Sequence, residues 1–250
     1  MISVLMPVYN TDPSDLEICL GSILQQSYNN FEIVIIDNGS TRNSTLKLLQ
    51  EIKSFENIFI YRKEQQAGKK NVSVALNYGL TKCKNELVAR MDSDDIMLPS
   101  RLRLQQQAFL KNPNLDILGG QMYLASDKCN TVDELIKNTP YFESATREEV
   151  VDIDYIKREK ENWFINHPTV MYKKSRILEI GGYLEEPDGI PEDFCLWVKA
   201  VANNFVVRNL QEYVLVYKIN NKDKLSNKDS KKIDWNNFCE EYKEQYLKSK

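Results

Sequence analysis

The stretch ELVARMDSDDIMLPSRL, residues 86–102, governs the reading of the whole chain. Leu87, Val88, Ala89 and Met91 make a short apolar run of strand character, and the carboxylates of Asp92, Asp94 and Asp95 follow directly. Like charges this close repel and raise one another's pKa, whereas a bound divalent cation lets all of them stay ionised and adds oxygen coordination. Metal binding is therefore the leading reading of the acidic turn. Its position after a strand is also where open α/β sheets place their ligands. The same residues fit a second reading, a solvated turn in which Asp95 caps a helix over 99–111.

Composition sets the frame around that turn. With 250 residues, 42% hydrophobic and 28% charged, the chain can bury the core of one large α/β domain or of a domain with a small appendage, which argues against general disorder. A formal net charge of -3 gives no global attraction to nucleic acid or anionic lipid, so no nucleic-acid partner is expected and any phosphate binding must be local. The opening MISVLMPVYN is short, contains a proline and lacks a basic leader, so it reads as the first strand rather than an export signal. No apolar run approaches the ~18 residues of a membrane-spanning helix. Cys19, Cys83, Cys129, Cys195 and Cys239 are odd in number and lack CxxC spacing, which suits free thiols in a reducing, cytoplasmic setting. The sequons at Asn38, Asn43 and Asn71 then read as chance matches.

Apolar runs predict strands at 2–6, 32–36, 58–61 and 87–91. Helical spacing predicts a helix through Leu16, Leu20, Ile23 and Leu24, with Pro13 near its start and Thr11 or Asp12 as cap. Further helices are predicted at 45–53 and 72–83, and this alternation implies a parallel sheet with a Rossmann-like first half. The second half is less regular. A strand is expected at 117–124, a polar loop over the site at 127–162, strands at 169–172, 205–207 and 213–217, and a helix at 192–202. After the polar tract from Asn220, the spacing of Trp235, Phe238, Tyr242 and Tyr246 suits a terminal amphipathic helix.

Six segments occur in order: ISVLMPVYN, EIVIIDNGS, VALNYG, VARMDSDDIMLPSRL, HPTVMYKKS and PEDFCLW. Together they make the chain resemble family 2 of the inverting nucleotide-sugar glycosyltransferases, over residues 2–217. The resemblance implies a single α/β domain of GT-A fold over 1–219, with a mostly parallel central sheet. Its nucleotide-binding half would be 1–95 and its smaller acceptor and catalytic half 96–219, followed by a polar linker and helix at 220–250.

It also implies roles, residue by residue. Pro7, Val8, Tyr9 and Asn10 would cradle the base and ribose, and Asp37 would accept a hydrogen bond from the base. Lys70, beside Lys69 before a helix start, would face phosphate. Asp92 and Ser93 would contact the donor, and Asp94, with Asp92 and His167, would hold Mn²⁺ or Mg²⁺ against the diphosphate. Asp95 would position the loop or the sugar, and Asn77 would support the acidic loop from behind. Asp193 would be the general base that deprotonates the acceptor hydroxyl, Glu192 would orient a sugar, and Trp197 would stack on one. Cys195 stands where many relatives carry an acidic or polar residue.

Each residue also has a structural reading. Pro7 can simply end its strand and Asp37-Asn38-Gly39-Ser40 can be an ordinary turn. Lys69 and Lys70 can be solvated, Glu192 and Asp193 can serve a helix dipole, and Trp197 can be core. The implied activity is metal-dependent, inverting transfer of a hexosyl-type sugar from a nucleotide-diphosphate donor, UDP above others, to a hydroxyl of a glycan or lipid-linked acceptor. That acceptor class leaves open peripheral contact with the cytoplasmic face of a membrane, and a homodimer is also compatible. The alternative is a catalytically silent nucleotide-binding scaffold of a glycosyltransferase complex. A phosphoryl-transfer site on the acidic strand end would explain Asp92 but neither HPT nor PEDFCLW.

Overall fold

Alternate residues of the first strand enter opposite cores, and that alternation builds the molecule. The computed structural model describes residues 1–66, 71–126, 143–145, 147, 149–158, 164–185, 191–219 and 243–244. In β1 (Ile2–Val8), Ile2, Val4, Met6 and Val8 join one buried cluster while Leu5 joins the other. β2 (Phe31–Asp37), β3 (Ile58–Arg62) and β4 (Leu87–Arg90) align with it in parallel, in the order β3-β2-β1-β4. Helices α1 (Pro13–Leu24) and α2 (Asn43–Ile52) cover one face, and α3 (Asn71–Lys82) covers the other. Gly79 lets α3 lie this close: a Cβ there would sit 2.3 Å from the Leu5 side chain.

Beyond β4 follow β5 (Ile96–Met97), α4 (Arg101–Lys111), β6 (Leu115–Ser126), β7 (Glu143–Ala145), β8 (Val150–Val151) and α5 (Ile153–Arg158). A 3₁₀ turn (His167–Thr169) then leads into β9 (Met171–Lys173), α6 (Lys174–Glu179), α7 (Glu192–Ala202) and β10 (Val206–Ile219). The full order is β3-β2-β1-β4-β9-β6-β10-β5, with β7 on β6 and β8 on β10. β9 is antiparallel between β4 and β6, whereas the long β6–β10 pair is parallel, so most paired positions remain parallel. The result is the expected α/β architecture with a mostly parallel central sheet.

Strands β1 to β4 and helices α1 to α4 end within two residues of their expected bounds. Asp12 is the cap of α1, its carboxylate accepting the Ser14 N–H at 3.1 Å, with Pro13 in the first turn. Later elements differ. The strands expected at 205–207 and 213–217 are one strand, β10, whose register shifts around Asn209 and Tyr213 interrupt the alternation. The strand expected at 169–172 begins as the 3₁₀ turn, where the absent N–H of Pro168 suits a first turn. The capping role for Asp95 is corrected: Ser100 precedes α4, and Asp95 instead accepts the Lys218 N–H at 3.0 Å.

Most of the expected loop at 127–162 and of the tail at 220–250, with Trp235, Phe238, Tyr242 and Tyr246, lies outside the described residues, as do Lys69 and Lys70. Within the tail, Lys243 is buried with its ammonium 5.4 Å from the centre of the Phe164 ring. Among the described residues no helix is long and apolar enough to cross a membrane.

Candidate active site

Three loops meet at the carboxyl ends of β1, β2 and β4, tied to one another by short polar contacts. Asn10 takes a positive φ of 51°, and its side-chain oxygen accepts the N–H groups of Thr41 and Arg42 at 2.8 Å each. Its own N–H donates to Ser40 Oγ at 3.0 Å, so Asn10 locks the β1 loop to the β2 loop. Val8 is wholly buried, Pro7 half-buried and Tyr9 51% exposed, so a ligand here would meet the Tyr9 ring and the backbone of Val8. Asp37 is buried, with one oxygen accepting Ser40 N–H at 2.9 Å and the other 2.7 Å from the Arg62 guanidinium. The remaining lone pairs of that carboxylate are free to accept from a base.

In the acidic turn, Ser93 Oγ lies 2.6 Å from Thr11 Oγ1, and Cys19 Sγ donates to the Asp92 carbonyl at 3.2 Å. Asp92 is ion-paired with Arg90, the buried last residue of β4. Asp95 is buried with Oδ2 lacking any hydrogen-bond partner. Burial, then the neighbouring Asp92 and Asp94, push its carboxyl well above the usual range. Beneath the turn, the fully buried Arg101 donates to the carbonyls of Arg90, Pro168 and Val170 at 2.7, 2.9 and 3.2 Å. Burial and then Arg90 lower its pKa to about 9, against the pull of Asp95 and Asp92.

The opposite wall is assembled from distant elements. His167 is buried, its Nε2 3.1 Å from the Tyr183 hydroxyl and its Nδ1 3.8 Å from Glu192 Oε1. Burial, then Arg90, hold its pKa well below the ordinary value, so the imidazole is neutral. Tyr183 is fixed by Asn77, which accepts its N–H at 2.8 Å and donates to its carbonyl at 2.8 Å. Gly182, at φ 69°, leaves room for that clamp: a Cβ would lie 2.4 Å from Asn77 Oδ1. Asn77 thus supports the Gly182–Tyr183 turn, where support of the acidic loop was expected. Trp197 is 1% exposed and packs edge-on against His167, so it underlies the site without presenting a face to a sugar. Glu192 and Asp193 open α7, where the helix dipole favours their charge, and Asp193 also accepts the Phe194 N–H at 2.8 Å.

Both walls line one cavity of about 410 Å³, which brings Asp92, His167 and Asp193 together with Arg90, Arg147 and Asn166. Its remaining wall includes the apolar side chains of Met122, Leu124, Ile165 and Tyr217. Among the described residues no three His, Cys, Asp or Glu side chains converge as a metal centre. Asp92, Asp94 and His167 accordingly do not form a three-ligand cluster, since the imidazole nitrogens face Tyr183 and Glu192.

A sequence model described as Glycosyl transferase family 2 matches residues 3–179. The chain is a family 2 glycosyltransferase. It is 36% identical over 225 residues, 89% of this chain and 81% of the relative, to the O-antigen biosynthesis glycosyltransferase WbnJ of Escherichia coli. It is 31% identical over 215 residues, 85% and 72% of the two chains, to the E. coli UDP-Gal:alpha-D-GlcNAc-diphosphoundecaprenol beta-1,3-galactosyltransferase. In fold, this glycosyltransferase is similar to S. aureus TarS 1-349 in complex with UDP-GlcNAc, with a TM-score of 0.64 at 22% identity. That match covers 88% of this chain and 58% of that one. A mannosyltransferase from Pyrobaculum calidifontis, in complex with GDP-Man and Mn²⁺, gives 0.60 at 17% identity over 88% and 57%. These likenesses establish the GT-A fold and favour an enzyme over the scaffold alternative.

Two residues of the family 2 glycosyltransferase site escaped the sequence reading. Arg90 and Arg101 flank the acidic turn and organise it from within the protein. The available signal was a charged residue closing the apolar run LVAR, an unusual place for an arginine unless it is paired.

Proposed function

We propose that this glycosyltransferase moves a sugar from a UDP-sugar, with the aid of a divalent cation and with inversion, to a hydroxyl of a glycan or lipid-linked saccharide. The observation that carries the reading is the single cavity whose walls hold Asp92 on the donor side and Asp193 on the other. Asp193, in the first turn of α7, takes the proton of the acceptor hydroxyl as that oxygen attacks the anomeric carbon. Neutral His167 lines the same cavity, its Nε2 held by the Tyr183 hydroxyl and its Nδ1 turned toward Glu192. Residues 1–95 would carry the nucleotide, through Tyr9, Asn10, Asp37 and Ser93, and residues 96–219 the acceptor. The relative named for a UDP-Gal donor and a diphosphoundecaprenol acceptor supports UDP and a lipid-linked saccharide, and with them work at a cytoplasmic membrane face.

The donor set fits Mn²⁺ or Mg²⁺: Asp92 and Asp94 offer hard oxygens, and their crowding with the buried Asp95 is what a divalent cation relieves. Asp94 and Asp92 would hold the ion, which when bound supplies Lewis-acid stabilisation of the departing diphosphate. Asp95, anchored to Lys218, would hold the turn in place.

Thermal-shift titration with UDP, GDP, CDP and dTDP, each with and without Mn²⁺, tests the donor half. Stabilisation by UDP that requires Mn²⁺ and disappears in Asp94→Asn is the expected outcome. Stabilisation by another nucleotide, or equal binding without metal, would replace that part of the reading.

A further inference from the structure

The cavity has a cation whose hydrogen-bonding capacity is only partly used. Arg90 is 4% exposed, and the guanidinium contact resolved for it is the ion pair of Nη1 with Asp92. Its Nε is buried with no acceptor and is closed to a ligand, so the donors that can face the cavity are those of the terminal nitrogens. A buried guanidinium N–H without a partner is costly, and arginine offers five such donors in a rigid fork. Alternation along β4 sends Val88 to the face covered by α3 and α7, and places Arg90 two residues on, at the floor of the cavity that holds His167 and Asp193.

We infer that Arg90 is a sugar-binding residue: its unused guanidinium donors hold hydroxyl oxygens of the transferred sugar between Asp92 and Asp193. The inference deepens the proposed function and rests on it. The apolar side chains of Met122, Leu124, Ile165 and Tyr217 in the same lining suit the C–H face of a pyranose ring.

The test uses the full chain and the UDP-sugar it turns over best, with Arg90→Lys and Arg90→Gln variants checked for folding by circular dichroism and melting temperature. Arg90→Lys keeps the charge beside Asp92 and removes the fork. It should lower kcat/KM by about 10- to 100-fold, the scale of one charged hydrogen bond, while the Kd for UDP itself stays within about 3-fold. Donor analogues lacking single hydroxyls add the decisive readout. One deoxy position should cost wild type about 10-fold or more and cost the Arg90 variants little, since the partner is already gone.

Parity of Arg90→Lys with wild type on the intact donor overturns the inference, as does an equal loss of UDP affinity, which would mark a purely structural residue. If Arg90→Lys does not fold, the same comparison is made with Arg90→Gln; a wild type indifferent to every hydroxyl deletion also overturns the inference. A wild type that turns over no nucleotide sugar fails at the proposed function, and is distinguished from these outcomes by its lack of a basal rate.

Discussion

The two walls of the cavity are held in different ways. On the donor wall, neighbouring loops tie to each other: Asn10 to Ser40, Thr41 and Arg42, Thr11 to Ser93, and Asp37 to Ser40 and Arg62. On the catalytic wall, the ties run through buried groups. Asn77 fixes Tyr183, Arg101 fixes the carbonyls of Pro168 and Val170, and Thr169 accepts the Gly120 N–H at 2.9 Å. Ties at partly exposed loops tolerate loss, because water can replace a partner. Buried ties do not, because an orphaned polar group there has no substitute. Damage on the donor wall should therefore show mainly in binding, and damage on the catalytic wall in chemistry and stability together.

The largest effect should come from Asp193→Asn. Removing a general base typically costs about 10²- to 10⁴-fold in rate, and the amide still accepts a hydrogen bond from Phe194 N–H, so the helix start survives. Steady-state kinetics should show kcat falling by that factor with UDP affinity unchanged. A variant that lost donor affinity as much as rate would erase the distinction between the walls.

Next is Arg101→Met, which removes the side-chain donor from the carbonyls of Arg90, Pro168 and Val170, of which Val170 keeps the Arg90 N–H at 2.9 Å. Each buried carbonyl left unsatisfied costs about 1–3 kcal/mol, readable together as a shift in the urea midpoint at unchanged slope. Asn77→Ala should cost less, about 1–3 kcal/mol, and should lower kcat more than it raises KM, since Tyr183 loses its anchor and His167 its orientation. On the donor wall, Asn10→Ala should destabilise by about 1 kcal/mol and act mainly on KM for the nucleotide sugar. An Asn10 variant that spared KM while reducing kcat would contradict the contrast.

How much of this was legible in the sequence follows the same division. The donor wall is built from strand ends and the loops that follow them, so the apolar runs before Tyr9, Asp37 and Asp92 located it directly. The capping pair Asp12 and Pro13 and the helix Glu192–Ala202 were equally readable, because each signal is local. The catalytic wall was readable only as motifs. Nothing near Asn77 in sequence announces Tyr183, more than a hundred residues away. Continuous β10 was read as two strands because shifts around Asn209 and Tyr213 break the two-residue period. His167 was assigned to the metal from its motif, and the partners that folding gives it, Tyr183 at 3.1 Å and the Trp197 ring, have no signal near it in sequence. Arg90 and Arg101 act through carbonyls and carboxylates brought in by folding, which no spacing rule encodes.

The opposite end of the sheet offers a control that belongs to neither wall. There Glu32 accepts from Ser3 Oγ at 2.7 Å and from Lys84 N–H at 2.8 Å, and Lys174 donates to the Cys83 carbonyl at 2.8 Å. Burial, then the Glu32 carboxylate, push the Cys83 thiol up to about 12 from an ordinary value of 9.0. The folded chain therefore keeps a proton that the unfolded chain gives up. The associated stability is complete below about pH 9 and is lost as pH rises toward about 12. In Cys83→Ala the decline of unfolding free energy above pH 9 should flatten by up to about 1.4 kcal/mol per pH unit, measured by denaturant titration at successive pH values. The same variant should leave kcat and KM at neutral pH unchanged. A change in either would mean that the base of the sheet is coupled to the cavity, and that the division between exposed and buried walls does not isolate the site from the rest of the fold.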